Sequence, residues 1–487
     1  MLAAVSWDGG GDGTLWSDPL NWSSNVIPTV ADDVTLDVPG SPTITVTGAT
    51  TRYANSLVSR ETLLIRSDLR VTNLVTLHAP TTIDSQADFV VGSLTLESTL
   101  TFNHGTLYFD AQQSMLDGSG SILTVGYTSV RSVTSLVIGE DIEVSGAFGF
   151  NLQGSLIQNY ATITTTGTAT MGDLNTSLVN HGIMNFGPEA NIHTYNLINA
   201  SDGVVNLNNA FLRMEGFEWT NQGTFVLTDS DILMEGAFTY ADIGTFVRTG
   251  GSIRFRADID NQGQPFYLDG IGSVTIDGGL VRNVVFEPSG DAIVRVTRGT
   301  LRDITLNAPS MIQSGEIVVI DGLFVLNAPM RLGNGLGNQG ELRIDPASWS
   351  GTGSIWSSGP EANKLYIPNV IPSWLSITLD DRDWLYTSSP LINNGTLRFV
   401  GDGVVDYEAV FSGATSVVNN GTFSVENGMK LSIPMFQNNP TGVATFSDSY
   451  VILKSSATNA PSWINNGQFH FINSRVDLQG RFSHPDL

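Results

Sequence analysis

Three groupings of carboxylates have the residue types that sugar-cleaving chemistry needs: Asp258 with Asp260, Asp229 with Asp231, and Asp380-Asp381 with Asp383. A glycosidase works with one ionised and one protonated carboxyl group roughly 5 to 10 Å apart. Residues two apart on a strand share a face, so Asp258 and Asp260 can converge. Arg254 and Arg256 alternate with them, and a lyase needs such a base beside its carboxylates. The same alternation also describes a ladder of surface salt bridges offsetting like charges, and that is the preferred reading. Asp8, Asp12, Asp32 and Asp33 are the candidate ligands for a calcium ion, because hard cations take carboxylate and carbonyl oxygens and would relieve an acidic excess. Tandem calcium-binding nonapeptides are missing, so plain solvated acid is the competing expectation.

Other chemistries find less support. Six histidines stand at 78, 104, 181, 193, 470 and 484, and His104 and His181 each fill the variable slot of an Asn-x-Gly phrase. That position marks a turn residue, not a ligand. No nucleophile elbow or zinc-protease helix motif occurs. The run Gly333-Asn334-Gly335-Leu336-Gly337 lacks the lysine of a phosphate loop. The absence of cysteine removes disulfides, thiolate metal sites and cysteine nucleophiles. A cluster of Trp349, Trp356, Trp374 and Trp384, accompanied by Pro360, Pro368 and Pro372, is the expected ligand-binding region. Departures from a repeat are where repeat proteins carry binding function.

These residues must be positioned by a repeating framework. The 487-residue chain is hydrophobic enough, at 41%, to build a core, and it carries 51 glycines and a formal charge of −25. That charge, with lysine only at 364, 430 and 454, argues against nucleic acid. No apolar stretch reaches the roughly 18 residues of a membrane-spanning helix. A phrase of polar residue, spacer, glycine and alternating apolar residues places glycines at 182, 203, 223, 244 and 263, then at 395, 421, 442 and 467. Ile304-Thr305-Leu306-Asn307-Ala308-Pro309 matches Phe324-Val325-Leu326-Asn327-Ala328-Pro329 at an offset of 20. Within each unit the hydrophobic period is 2, the strand period.

Two or three short strands per 20-residue unit leave no room for ordinary hairpins. Winding each unit once around an axis stacks equivalent strands in parallel. The expected fold is therefore all-β, a right-handed parallel β-helix of roughly 20 coils with about 20–26 residues per coil; at ~4.8 Å per coil it would reach about 100 Å. Glycine is expected to supply positive φ at the corners, and asparagine to hydrogen-bond its counterpart in the next coil. The expected organisation is a cap over residues 1–40, β-helix over 41–345, an irregular excursion over 346–390, and resumed β-helix over 391–487.

The opening residues carry a resemblance. Trp7-Asp8-Gly9-Gly10-Gly11-Asp12-Gly13, Trp16, Asn21-Trp22, Pro28 and Asp32-Asp33-Val34 are similar to segments that open β-helical repeats in large secreted bacterial surface proteins, including autotransporter passengers and adhesins. The motif covers residues 7–36, and the Asn-x-Gly phrases extend a weaker likeness further. The resemblance implies an extracellular or cell-surface location, structural or adhesive roles, and no catalysis in the repeat. Trp7, Trp16 and Trp22 would then be a lid, with a sugar platform as the alternative. Met1 is read as the start of an expressed piece or a processed form of a longer exported protein. The functional expectation is a structural or adhesive rod, with a polysaccharide lyase or glycoside hydrolase as the alternative. Polysaccharide or a cell-surface ligand is the expected partner, end-to-end self-association a further possibility, and no cofactor beyond possible Ca2+ is implied.

Overall fold

The computed structural model describes residues 3–126, 128–146, 150–216, 219–313, 316–337, 339–387, 390–403, 408–454 and 463–479. His484 and the C-terminal stretch 480–487 lie outside the described residues. The chain divides into two units, Met1–Ile253 and Arg254–Leu487. Each is a parallel β-solenoid, and together they make about 20 turns. Among the described residues the helical segments are two three-residue 3-10 turns, so no helix is long and apolar enough to cross a membrane.

In the first unit a coil consists of three short strands. Leu156–Asn159, Thr162–Thr165 and Thr168–Met171 form one; Ser177–Asn180, Ile183–Phe186 and Asn191–Thr194 form the next. Each strand pairs in parallel with its equivalent one coil on, as Ile157 with Leu178 and Ile163 with Met184. Alternation sends Leu178, Met184, Phe186 and Ile192 inward, all fully buried. A buried Leu, Ile or Met side chain contributes about 1.5–3 kcal/mol, but only when a neighbouring coil covers it, so the stack is the folding unit.

The Asn-x-Gly phrase is explained by two contacts. Asn159, Asn180, Asn199 and Asn221 are buried, and each Nδ2 donates to the Oδ1 of the next at 2.8 Å. A second ladder runs through Asn393, Asn419, Asn438 and Asn465, again at 2.8 Å. Because each amide donates to the next rung, the first carbonyl of each ladder, on Asn159 and on Asn393, is buried without a donor among the described residues. The glycines act differently from expectation. Gly182, Gly203, Gly223, Gly421, Gly442 and Gly467 are not in the positive-φ region. A Cβ on any of them would lie 2.1–2.4 Å from a carbonyl oxygen of the preceding coil. Close approach of stacked backbones, not left-handed geometry, requires glycine there. Gly244 and Gly263 do have positive φ.

At the N-terminus, strand Ala3–Ser6, a 3-10 turn Pro19–Asn21 and strand Asp32–Leu36 enclose three tryptophans. Trp22 meets Trp7 and Trp16 edge-on at 4.9 and 4.7 Å, and its Nε1 donates to the Trp16 carbonyl. All three are at most 2% exposed, so their faces are unavailable as a sugar platform.

In the second unit, residues 346–390 do not leave the coil. Strands Glu341–Gly351, Ser354–Ser357, Lys364–Ile367, Ser376–Asp380 and Trp384–Thr387 keep parallel register with neighbours on both sides. Pro360, Pro368 and Pro372 fall between strands, where no ladder N–H is required. The tryptophans occupy half-buried outward positions. The glycine phrase lapses here while the winding continues.

Candidate functional site

A concavity lies on these coils. Arg343, Tyr366 and Tyr386 occupy the same outward position of successive coils, with Ser412 next in register. Strands ~4.8 Å apart force large side chains in one column to stack. The Tyr366 and Tyr386 rings are 4.3 Å apart and 10° from parallel, and the Arg343 guanidinium sits 5.2 Å from the Tyr366 ring centre. Trp384, two residues before Tyr386 on the same face, lies 5.8 Å from it and 13° from parallel. The column then meets Ser412 and Gly413, whose side chains are small. An open groove of about 410 Å³ results, bordered by Arg343, Asp345, Tyr366, Pro368, Tyr386 and Ser412.

Buried polar groups hold this wall in place. Glu341 accepts from Lys364 Nζ at 2.9 Å and from the Tyr366 hydroxyl at 3.3 Å. Burial and the Glu341 charge push the Tyr366 phenol above its ordinary value, and the hydrogen bond to Glu341 raises Lys364. Asp383 is fully buried where the Tyr386 strand begins. Its Oδ1 accepts from the Asn363 backbone and side-chain amides at 2.9 Å, and its Oδ2 accepts from the Asp380 backbone amide at 2.8 Å and from the Ser357 hydroxyl. Asp383 thereby ties together the starts of the strands that carry Tyr366 and Tyr386.

Burial outweighs these donors and raises the Asp383 carboxyl to about 6. Burial, with the Asp380 charge second, raises Asp381 to about 6 as well. A folded-state value above the ordinary 3.8 means that the native state binds more protons than the unfolded chain between pH 4 and 6. The contribution of Asp383 is therefore most favourable at low pH and is lost as pH rises through 6. Relative to Asp383→Asn, the wild type should gain roughly 2 kcal/mol between pH 7 and pH 4. Denaturant midpoints at several pH values check this; parallel pH profiles for the two proteins would contradict it.

The acids singled out in the sequence are committed elsewhere. Asp260 accepts from Asn283, from the Gln262 amide and from Arg282, which hold its carboxyl below the usual range. Asp258 accepts from the Leu280 amide, and Asp231 from the Ser252 hydroxyl. Asp229 sits in a turn at φ 46°. Asp277 bridges Arg256 at 2.9 Å and Arg298 at 3.3 Å, a cross-coil ladder. Arg254 has no carboxylate at ion-pair distance among the described residues.

Three of the four N-terminal acids serve turns, and Asp33 is held by the next coil. Asp8 accepts from the Gly10 amide, and Asp12 from the Thr14 and Leu15 amides and the Asn21 side chain. Asp32 accepts from Thr29, and Asp33 from Asn55 and Ser56. Backbone amides lower Asp12, and the Ser56 hydroxyl followed by Asn55 lowers Asp33. Among the described residues no three His, Asp or Glu side chains form a cluster that could hold a metal ion. His78, His181 and His193 each meet an acid one coil on, Glu97, Asp202 and Glu215, at 2.7–3.2 Å.

Of the four predicted tryptophans, Trp384 adjoins the groove through Tyr386. Trp349 and Trp374 contact one another edge-on at 6.0 Å, and Trp356 lies under Arg331 at 5.0 Å. They do not form one site. The tyrosines and Arg343 were missed, although Leu365-Tyr366 and Leu385-Tyr386 repeat at an offset of 20, one coil. No protein-family model, curated protein or solved structure matches the chain.

Proposed function

We propose that this chain is an extracellular structural or adhesive β-solenoid that presents an aromatic, saccharide-binding groove and does not turn its ligand over. The observation that carries the reading is the chemistry of the groove wall: one carboxylate, Asp345, beside stacked tyrosines and a guanidinium. Cleavage of a glycosidic bond by hydrolysis needs a second carboxyl group across the bond. The acidic, lysine-poor composition supports a location outside the cell, and parallel stacking of coil on coil within each unit suits a structural role.

The test is incubation of the purified chain with neutral and acidic polysaccharides, following reducing ends and the ultraviolet absorbance of unsaturated products. Neither signal should rise above that of the heat-denatured chain. Sustained product release from any of them would replace this reading with that of a polysaccharide lyase or hydrolase.

A further inference from the structure

We infer that the groove beside Tyr366 and Tyr386 takes a neutral, hexopyranose-containing polysaccharide, packed against the outer face of Tyr386 and hydrogen-bonded by Arg343 and Asp345. This rests on the adhesive reading above and specifies its ligand.

Three features of the groove select that class. The first is which aromatic faces are free. In the column, Tyr366 is sandwiched between the Arg343 guanidinium and the Tyr386 ring. Tyr386 has only one face so covered, because its partner in the next coil is Ser412. The nearly parallel Trp384 ring widens the apolar surface along the strand. A flat apolar surface bounded by hydrogen-bonding groups suits the C–H face of a pyranose ring, whose hydroxyls project around its rim.

The second feature is the polar pair. Arg343 and Asp345 are two apart on one strand, so they project from the same face ~7 Å apart. Both are exposed, and among the described residues neither takes part in a salt bridge. Several other outward charges of this unit are paired between coils, as Arg282 with Asp260, Arg302 with Asp321, and Arg398 with Glu426. A fixed donor beside a fixed acceptor matches sugar hydroxyls, each of which both donates and accepts.

The third is charge. Arg343 and Asp345 cancel within the groove, while the chain as a whole carries −25. A polyuronate or sulfated chain would meet no net positive charge locally and repulsion at long range. A neutral chain meets neither obstacle. The groove crosses four coils, about 14 Å along the stack, and its volume falls in the range of about 300–1,000 Å³ typical of small-ligand sites. That extent fits an oligosaccharide segment better than a single sugar.

Affinity electrophoresis of the whole chain provides the test, in native gels containing hydroxyethyl cellulose, galactomannan, soluble starch or laminarin, and in parallel gels containing alginate or polygalacturonate. The wild type should be retarded by at least one neutral polymer and by neither polyuronate. Tyr386→Ser and Arg343→Met should weaken that retardation about tenfold or more while keeping the wild-type unfolding midpoint. Retardation by polyuronates alone would overturn the neutral assignment. Equal retardation of wild type and both variants would locate binding elsewhere, so the groove inference would fall while the adhesive reading stood. No retardation of the wild type by any polymer would overturn both. Should either variant prove unstable, Tyr386→Phe provides the complementary check: it keeps the ring face and should bind as the wild type does, and its loss of binding would count against stacking.

Discussion

Asn199→Leu is expected to lower the stability of the first unit by about 4 kcal/mol, although leucine fills a similar volume. Asn199 is fully buried. Its Nδ2 donates to Asn221 Oδ1 at 2.8 Å and to the Gly203 carbonyl at 3.2 Å, while its Oδ1 accepts from Asn180. Leucine removes the rung and leaves polar groups above and below it short of partners in a dry interior. Each such group costs about 1–3 kcal/mol. Asn420→Leu is the contrasting case. Asn420 belongs to a solvent-facing ladder, donating to Asn394 Oδ1 and accepting from Asn439. Water can replace its amide, so the cost should stay below about 1 kcal/mol. Denaturant unfolding followed by circular dichroism and tryptophan fluorescence measures both. Since coils are held chiefly by nearest neighbours, Asn199→Leu should also broaden or split the transition. Equal small losses for the two variants would show that the buried ladder is incidental to stability.

A second large effect separates two copies of one tripeptide. Asn221-Gln222-Gly223 and Asn261-Gln262-Gly263 are identical in sequence, yet their glycines are needed for different reasons. A Cβ on Gly223 would stand 2.2 Å from the Gly203 carbonyl oxygen and 2.3 Å from that of Ala200, both backbone atoms of the preceding coil. Gly263 has φ 78° and nothing within 4 Å of its would-be Cβ. Gly223→Ala must therefore push two coils apart, costing about 3 kcal/mol. Gly263→Ala bears only left-handed strain, about 1 kcal/mol, and Gly263→Asn should recover part of it. Comparison of the unfolding midpoints checks the order, and a larger loss at Gly263 would reverse the explanation.

That pair also shows how far sequence reading reaches. The phrase was legible as a coil marker because winding imposes its period on the chain, and the buried asparagine ladder follows from the same period. The reason for each glycine was not legible, since it depends on how closely one backbone approaches another about 20 residues away. The same limit produced the error at 346–390. Loss of the glycine phrase, with clustered Trp and Pro, resembles a departure from the repeat. Coils held by inward Leu365, Ile377 and Leu385 nevertheless continue with proline at their corners.

Period 2 within a unit near 20 residues determined by itself that strands must stack in parallel, because no other arrangement buries the alternating apolar side chains of such short segments. Composition likewise determined the acidic, cysteine-free character that any partner meets. Only the tertiary structure decided which polar residues remain available. Asp258, Asp260, Asp12 and Asp33 are indistinguishable in sequence from reactive carboxylates, but donors brought in by turns or by the adjacent coil engage them. Among the described residues Arg343 and Asp345 have no ion-pair partner, and one face of Tyr386 meets serine, not another ring, one coil further on. Which groups are engaged and which are left free depends on contacts between coils, and those exist only once the chain has wound.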